Sequence, residues 1–265
     1  MESVSIIIPA YNEEKRIERT LREYWRYFIE RKKSQNIGNF EILVVCNACR
    51  DNTLKIVKKE GESKKEIKSL NFVQGGKGFA IVEGFKSALK QDFDLIGFVD
   101  ADMATPPEAF YALINAIGKN DGVIASRWLK ESQIKTEQTM LRKITSRGFN
   151  FLTRSILFLP YKDTQCGAKL FRNGALKKVI KNIGVTEWAF DIDLLYKLNR
   201  NGAKIKEVPT IWEDQSGSKI NLKKVPFQMF SSIIRLRLIY SPFRFIVRLY
   251  NKFPEKWRLH RFYEK

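Results

Sequence analysis

The chain predicts an α/β protein: a mixed, mostly parallel sheet flanked by helices, followed by amphipathic helices at its C-terminal end. Three observations lead there. Apolar, β-branched runs of strand length alternate with amphipathic segments of helix length through the first half of the 265 residues. The runs stop abruptly at Pro, Gly or Asp, as buried parallel strands do when they leave a sheet. One of them, Leu95-Ile96-Gly97-Phe98-Val99, stops on Asp100-Ala101-Asp102. That puts two carboxylates where ligands of open α/β sheets bind.

Val4-Ser5-Ile6-Ile7-Ile8, ended by Pro9, is the first strand. A helix follows over about 13–31, with Ile17, Leu21, Tyr24 and Phe28 on one face. Phe40 to Val45 is the second strand, and Asp51-Asn52-Thr53 caps a helix carrying Leu54, Ile56 and Val57. A third strand sits at Leu70 to Val73. Gly75-Gly76-Lys77-Gly78 then turns into a helix through Ala80, Ile81, Phe85 and Leu89. Leu95 to Val99 delivers the acidic triplet. After Pro106-Pro107 come a helix over about 108–117 and a strand at Gly122 to Ala125. Residues 130–159 read as helical and basic, and short elements lead to a strand from Ile205 to Trp212. No repeat or low-complexity linker interrupts residues 1–221, which read as one domain.

Residues 222–265 read as a separate basic, amphipathic segment. From Lys219 to Lys265 there are twelve Lys/Arg against two Glu, interleaved with Phe, Ile, Leu and Tyr and broken at Pro242. This is the chemistry of an interfacial anchor on an anionic membrane surface. A helix pair packed on the domain with a solvated basic face is the alternative. The formal net charge of +19 favours anionic partners generally. Nucleic acid is set aside, because no helix-turn-helix, RRM or zinc-finger pattern accompanies the charge.

Three cysteines are too few for a disulfide scaffold and suit a reducing compartment. Cys46-x-x-Cys49 lacks partners for zinc, since only Cys166 and His260 remain, so buried thiols are expected. The chain enters its first strand without a signal peptide, and no apolar run approaches the roughly 20 residues that span a bilayer. The expected location is peripheral, on the cytoplasmic face of a membrane.

Two carboxylates at i and i+2 can share one hard cation, Mg²⁺ or Mn²⁺, with substrate phosphates. Alone, such a triplet is more often a solvated loop, and Glu13 after the first strand is more often a helix N-terminus. Together, with two α/β units between them, they point to a nucleotide site.

These and further motifs resemble family 2 glycosyltransferases of the GT-A (Rossmann-like) fold. Within that family the likeness is to dolichyl-phosphate β-glucosyltransferases, with polyprenyl-phosphate mannose synthases as cousins. The residues that carry it are Val4 to Glu14, Gly76-Lys77-Gly78, Gly84-Phe85, Asp100-Ala101-Asp102 with Ala104-Thr105, and Ser126-Arg127. Asp163 to Phe171, Thr186-Glu187-Trp188, Phe190-Asp191, Glu207-Val208-Pro209, Trp212 and Gly217-Ser218-Lys219 complete it.

The resemblance implies that Pro9, Tyr11, Glu13, Asn47, Lys77 and Asp100 hold the nucleotide. It implies that Asp102, with Asp100, ligates the metal. Arg127, Arg142 and Arg147 would face the acceptor phosphate, over which Ser218 and Lys219 would close. Gln165, Glu187 and Asp191 would join Asp100, Asp102 and Arg127 in the catalytic set. The implied reaction is inverting transfer of a sugar from a nucleotide sugar to dolichyl or polyprenyl phosphate. A GDP-mannose donor and a non-lipid glycan acceptor are the alternatives.

Two departures bear on the donor. Val45-Cys46-Asn47-Ala48-Cys49 replaces the family's usual Asp-Asp-Gly-Ser turn, leaving Asn47 to meet the base. Ala104 stands where the mannose synthases place a Gln metal ligand, which favours UDP-glucose over GDP-mannose.

Overall fold

The computed structural model describes residues 1–135, 140–183, 189–213 and 225–250. A seven-stranded sheet is built from β1 (Val4–Ala10), β2 (Phe40–Asn47), β3 (Ile67–Phe72), β4 (Leu95–Phe98), β5 (Gly122–Ser126), β7 (Lys169–Arg172) and β8 (Ile205–Pro209), in the order β3-β2-β1-β4-β7-β5-β8. Only β7 runs antiparallel to its neighbours. A two-stranded parallel sheet of β6 (Gln133–Ile134) and β9 (Ile211–Trp212) lies apart from it.

Every residue of β1 and β2 is buried, because helices cover both faces of the sheet. The period-2 alternation of a strand divides β1 between two cores. Ile6 and Ile8 pack with Leu21, Tyr24 and Phe28 of α1 (Ile17–Lys33) and with Phe110 and Leu113 of α4 (Pro107–Ala116). Ile7 packs on the other side with Phe85 of α3 (Lys77–Lys90), Leu176 of α6 (Asn173–Val179) and Phe190 of α7 (Phe190–Arg200). Two bonds from α1 brace the acidic loop: Thr20 Oγ1 donates to Ala101 O at 2.7 Å, and Tyr24 Oη to Thr105 O at 2.8 Å.

Several boundaries differ from the sequence expectation, each for a local reason. α1 starts at Ile17, not at 13: residues 14–16 form a turn in which the Arg16 and Ile17 N–H groups both donate to Glu13 O. The Glu13 and Glu14 N–H groups are capped by the Thr53 and Asp51 side chains, at and just before the start of α2 (Thr53–Ser63). β3 starts at Ile67, hidden in the sequence because its half-exposed edge carries Lys68 and Ser69. β7 was not expected as a strand, since Lys169 interrupts its apolar run. The long basic helix is shorter: α5 covers Met140–Leu157, and residues 130–135 form a turn and β6. The strand expected from Ile205 to Trp212 is two, β8 on β5 and β9 on β6, parted at Thr210 after Pro209. Proline has no N–H to continue a ladder.

Of the C-terminal segment, α8 (Val225–Ile239) and α9 (Arg244–Tyr250) are described. α8 buries Ile233 and Leu236 in the core beneath α3, α6 and α7. Just past it, Tyr240 Oη donates to the buried Asp193 Oδ1 at 2.6 Å, and Lys197 Nζ donates to Asp193 Oδ2 at 3.0 Å. Tyr240→Phe should therefore cost about 1.5–3 kcal/mol, the range for a hydrogen bond to a charged group, read by urea denaturation. A loss near zero would mean that Tyr240 does not latch α8 to α7. No helix among the described residues is long and apolar enough to cross a membrane.

Candidate active site

β1, β2 and β4 end side by side, where the strand order reverses about β1. Each is followed by a non-glycine residue in the left-handed region: Asn12 (φ 55°), Ala48 (φ 54°) and Met103 (φ 63°). Such backbone is held only where surroundings enforce it, and it bends all three loops around one hollow. The hollow has a volume of about 480 Å³ and is lined by Pro9, Tyr11, Glu13, Asn47, Ala48, Gly75, Gly76, Lys77 and Asp100 to Asp102. Thus Pro9, Tyr11, Glu13, Asn47, Lys77, Asp100 and Asp102, gathered from four places in the sequence, meet in one cavity.

Its electrostatics are acidic with one cation at the edge. Lys77 Nζ lies 2.5 Å from Asp100 Oδ1. Burial works to deprotonate Lys77, but the charges of Asp100, Asp191 and Asp102 outweigh it and raise its pKa. Burial, then repulsion from Asp100, lifts the Asp102 carboxyl above the usual carboxylate range, although Ala104 N–H donates to Asp102 Oδ1 at 3.0 Å. Burial likewise raises Glu13. Its carboxylate is gripped by Arg16 through Nε (2.8 Å) and Nη2 (2.9 Å), a partner the sequence reading did not give it.

Asn47 is buried, and its amide spans two loops: the nitrogen donates to Ala10 O at 2.7 Å and the oxygen accepts from Gly76 N at 3.0 Å. It shapes the cavity floor, and reaching a base edge would require giving up one of these bonds. Tyr11, 56% exposed, overhangs the rim.

Asp100 is also fixed from the side. Gly167 passes so close that a Cβ there would overlap its carboxylate. Gly167→Ala must push the carboxylate off Lys77. We expect kcat to fall about 10²-fold, the cost of a misplacement near 1 Å, with a thermal midpoint within a few degrees of wild type. Steady-state kinetics beside a melting curve check this, and an undiminished kcat would remove Asp100 placement from the account.

The other expected residues lie outside this cavity. Arg127 sits between the Trp128 and Trp212 rings and spends N, Nε and Nη2 on Asp163, at 3.0, 2.7 and 3.0 Å. Asp163 is 1% exposed; burial alone would raise its pKa, but Arg127 holds it below the carboxylate range. Glu207 accepts the N–H groups of Lys162 and Asp163 and so orients this pair. Gln165 donates its backbone N–H to Asp163. Asp191, in the first turn of α7, accepts from the fully buried Lys169 Nζ at 2.6 Å, and Lys169 also reaches Cys166 O at 2.6 Å. Arg147 lines a second cavity of about 260 Å³. Glu187, Ser218, Lys219 and the Arg142 side chain lie outside the described residues.

Arg16, Asp163 and Lys169 were missed as site-building residues. The signal for Lys169 was a lone cation inside an apolar strand run, which must find a carboxylate.

The donor set suits a hard divalent ion. Asp100 and Asp102 offer oxygen, and Mg²⁺ or Mn²⁺ ordinarily completes its shell from substrate phosphate and water. No cluster of three or more His, Cys, Asp or Glu that could hold a metal occurs among the described residues, so the protein's share here would be two carboxylates. Cys46, Cys49 and Cys166 are free, and burial pushes the Cys46 thiol up to about 12, keeping it protonated.

A mostly parallel sheet that opens at its switch point into an acid-lined, lysine-edged cavity defines a GT-A-type glycosyltransferase. The chain belongs to glycosyltransferase family 2, whose sequence pattern, described as "Glycosyl transferase family 2", matches residues 5–180. It is a nucleotide-sugar-dependent glycosyltransferase. It is 36% identical over 244 residues to a dolichyl-phosphate beta-glucosyltransferase of Trichomonas vaginalis, covering 89% of this chain and 73% of that one. To the dolichyl-phosphate beta-glucosyltransferase of Homo sapiens it is 31% identical over 254 residues, covering 90% and 76%. The fold is also that of glucosyl-3-phosphoglycerate synthase from Mycobacterium tuberculosis, solved with Mn²⁺, UDP and phosphoglyceric acid. The TM-score is 0.63 at 15% identity, over 89% of this chain and 78% of that one.

Proposed function

We propose that this enzyme transfers glucose from UDP-glucose to dolichyl or polyprenyl phosphate with inversion. The observation that carries the reading is the single cavity holding Glu13, Lys77, Asp100 and Asp102 at the ends of β1, β2 and β4. The dolichyl-phosphate beta-glucosyltransferases to which the chain is similar supply the sugar and the acceptor.

Tyr11 covers the uracil face, and Glu13, steadied by Arg16, meets the ribose hydroxyls. The pyrophosphate lies over the entry to α3 at Lys77, where the first-turn backbone N–H groups and the helix dipole favour an anion. A divalent ion on Asp102 and Asp100 would offset negative charge on the leaving diphosphate. An acceptor phosphate oxygen attacks the anomeric carbon in line, forming the new C–O bond. The old C–O bond breaks with its electron pair leaving on UDP. The acceptor phosphate is already ionised near pH 7, so no general base is required. Lys77, kept protonated by its carboxylate neighbours, faces the developing charge. Asp191, held by Lys169, would meet the sugar hydroxyls, with Gln165 toward the acceptor. Arg147 would guide the acceptor phosphate, a role the family resemblance also implies for Arg142, Ser218 and Lys219, whereas Arg127 is committed to Asp163. Free thiols suit a reducing compartment, so the reading puts the enzyme on the cytoplasmic face of a membrane.

The test is incubation with radiolabelled UDP-glucose, Mg²⁺ or Mn²⁺ and dolichyl phosphate in detergent, followed by solvent extraction. Labelled, mild-acid-labile lipid is expected. Label transferred only from GDP-mannose, or only to water-soluble glycan, would replace the donor or the acceptor in this reading.

A further inference from the structure

α5 has an inner and an outer face. Asn150, Thr153 and Leu157 are buried, whereas Arg147, Phe151 and Arg154, with Phe158 just past the helix end, form one exposed stripe. Their spacing of four, three and four residues keeps them on the same side. The two phenylalanines are 70% and 74% exposed, among the most exposed large apolar side chains described. The stripe runs on into α8: Arg237 lies over the Phe158 ring, 5.5 Å from its centroid. Phe230 and Ile234, seven and three residues before Arg237, are exposed on α8, while Ile233 and Leu236 face the core. Phe243, Phe245, Ile246 and Leu249 extend the exposed apolar surface along α9.

Charge decides what covers this face. Residues 140–157 and 225–250 contain Arg and Lys but no Asp or Glu at all. A face meant only for water carries both signs and few aromatics. Alternating Phe and Arg suits the depth where acyl chains meet phosphates, with rings entering and guanidinium groups staying at headgroup level. Beside the stripe, the cavity of about 260 Å³ joins Arg147, Arg154 and Lys162 to the Trp128 ring, over which Arg147 stacks at 5.1 Å. Three cations on an aromatic wall fit a phosphate headgroup.

We propose that the outer faces of α5, α8 and α9 form one surface that docks on an anionic phospholipid bilayer, with the Trp128–Arg147–Lys162 cavity seating a lipid phosphate. Membrane contact is thereby built into the catalytic domain through α5, not confined to residues 222–265. Docking does not require the acceptor to be a lipid, although it would bring the sheet-end cavity to where such an acceptor lies.

The experiment is co-sedimentation of the full chain with vesicles of phosphatidylcholine alone or with one quarter phosphatidylglycerol, without sugar donor. The wild type should pellet with the anionic vesicles and release largely at high salt. Phe151→Ser with Phe158→Ser should lower the partition coefficient at least about tenfold. Arg154→Gln should lower it about fivefold on anionic vesicles only. All these side chains are exposed, so melting curves should stay at the wild-type position. A wild type that stays in the supernatant overturns the proposal, as would be expected if a protein partner covers this face. So do variants that pellet like wild type, which would exclude α5. No donor is present, so failure here leaves the transferase reading intact, and a failed transfer assay leaves the docking intact.

Discussion

Asp102→Asn should lower kcat at least about 10²-fold and leave the fold and its stability unharmed. The change keeps the side chain's shape and the bond from Ala104 N–H to Oδ1. It removes the charge on which a divalent ion depends, and ligand-shell losses of this kind commonly reach two orders of magnitude. The stability half follows from the direction of the Asp102 shift. Burial and Asp100 raise its pKa, so the folded chain holds that proton more tightly than the unfolded chain does. Ionisation above about pH 4 therefore works against folding, and a neutral isostere relieves it. Kinetics with UDP-glucose and a thermal melt at pH 7 read both halves. An active Asp102→Asn enzyme would remove Asp102 from the metal role. An inactive enzyme that also melts far below wild type would make its role structural.

Arg127→Met should be strongly destabilising, costing about 3–5 kcal/mol at pH 7. It strands the Asp163 carboxylate, 1% exposed, by removing both guanidinium hydrogen bonds and the paired charge while leaving only backbone N–H donors. The pH dependence carries the sign. In the wild type the Asp163 pKa is depressed, so its contribution is present above the unfolded value near 4 and is lost as pH falls through the lower folded value. Without Arg127, burial pushes the same carboxyl upward, and the penalty exists only where the unfolded chain would ionise. The gap between variant and wild type should be widest at pH 7 and narrow toward pH 4. The double variant Arg127→Met/Asp163→Asn should recover a large part of the loss, which a double-mutant cycle in urea would show. A constant gap across pH would mean that Arg127 acts through its packing between Trp128 and Trp212.

Much of this architecture could be read in advance because the physics behind it is local. β1, β2 and β4 are covered on both faces, so they appear as largely apolar runs, interrupted only by the paired Ser5 and Glu41 before Asn47, that end where the sheet ends. Glu13, Lys77, Asp100 and Asp102 could be anticipated because each follows such a run or opens the next helix. What escaped depends on partners distant in sequence. Asp163 meets Arg127 across 36 residues, and Lys169 meets Asp191 across 22. No periodicity reports such pairings, so Arg127 was expected to face a phosphate and is instead found engaged by a buried carboxylate. β7 escaped because its lysine looks polar until its partner is known. Asn47 was expected to read a base, yet its amide joins Ala10 to Gly76. The outward stripe of α5 escaped because the whole of 130–159 read as one basic helix, which hid which side of it is buried.

Isothermal titration of UDP-glucose into wild type and Asp102→Asn, each with and without Mn²⁺, tests the central claim most directly. If the cavity at the ends of β1, β2 and β4 is the donor site, Mn²⁺ tightens binding to the wild type at least about tenfold and leaves the variant unchanged. Equal tightening in both proteins, or no binding of UDP-glucose to the wild type with Mn²⁺ present, would contradict it.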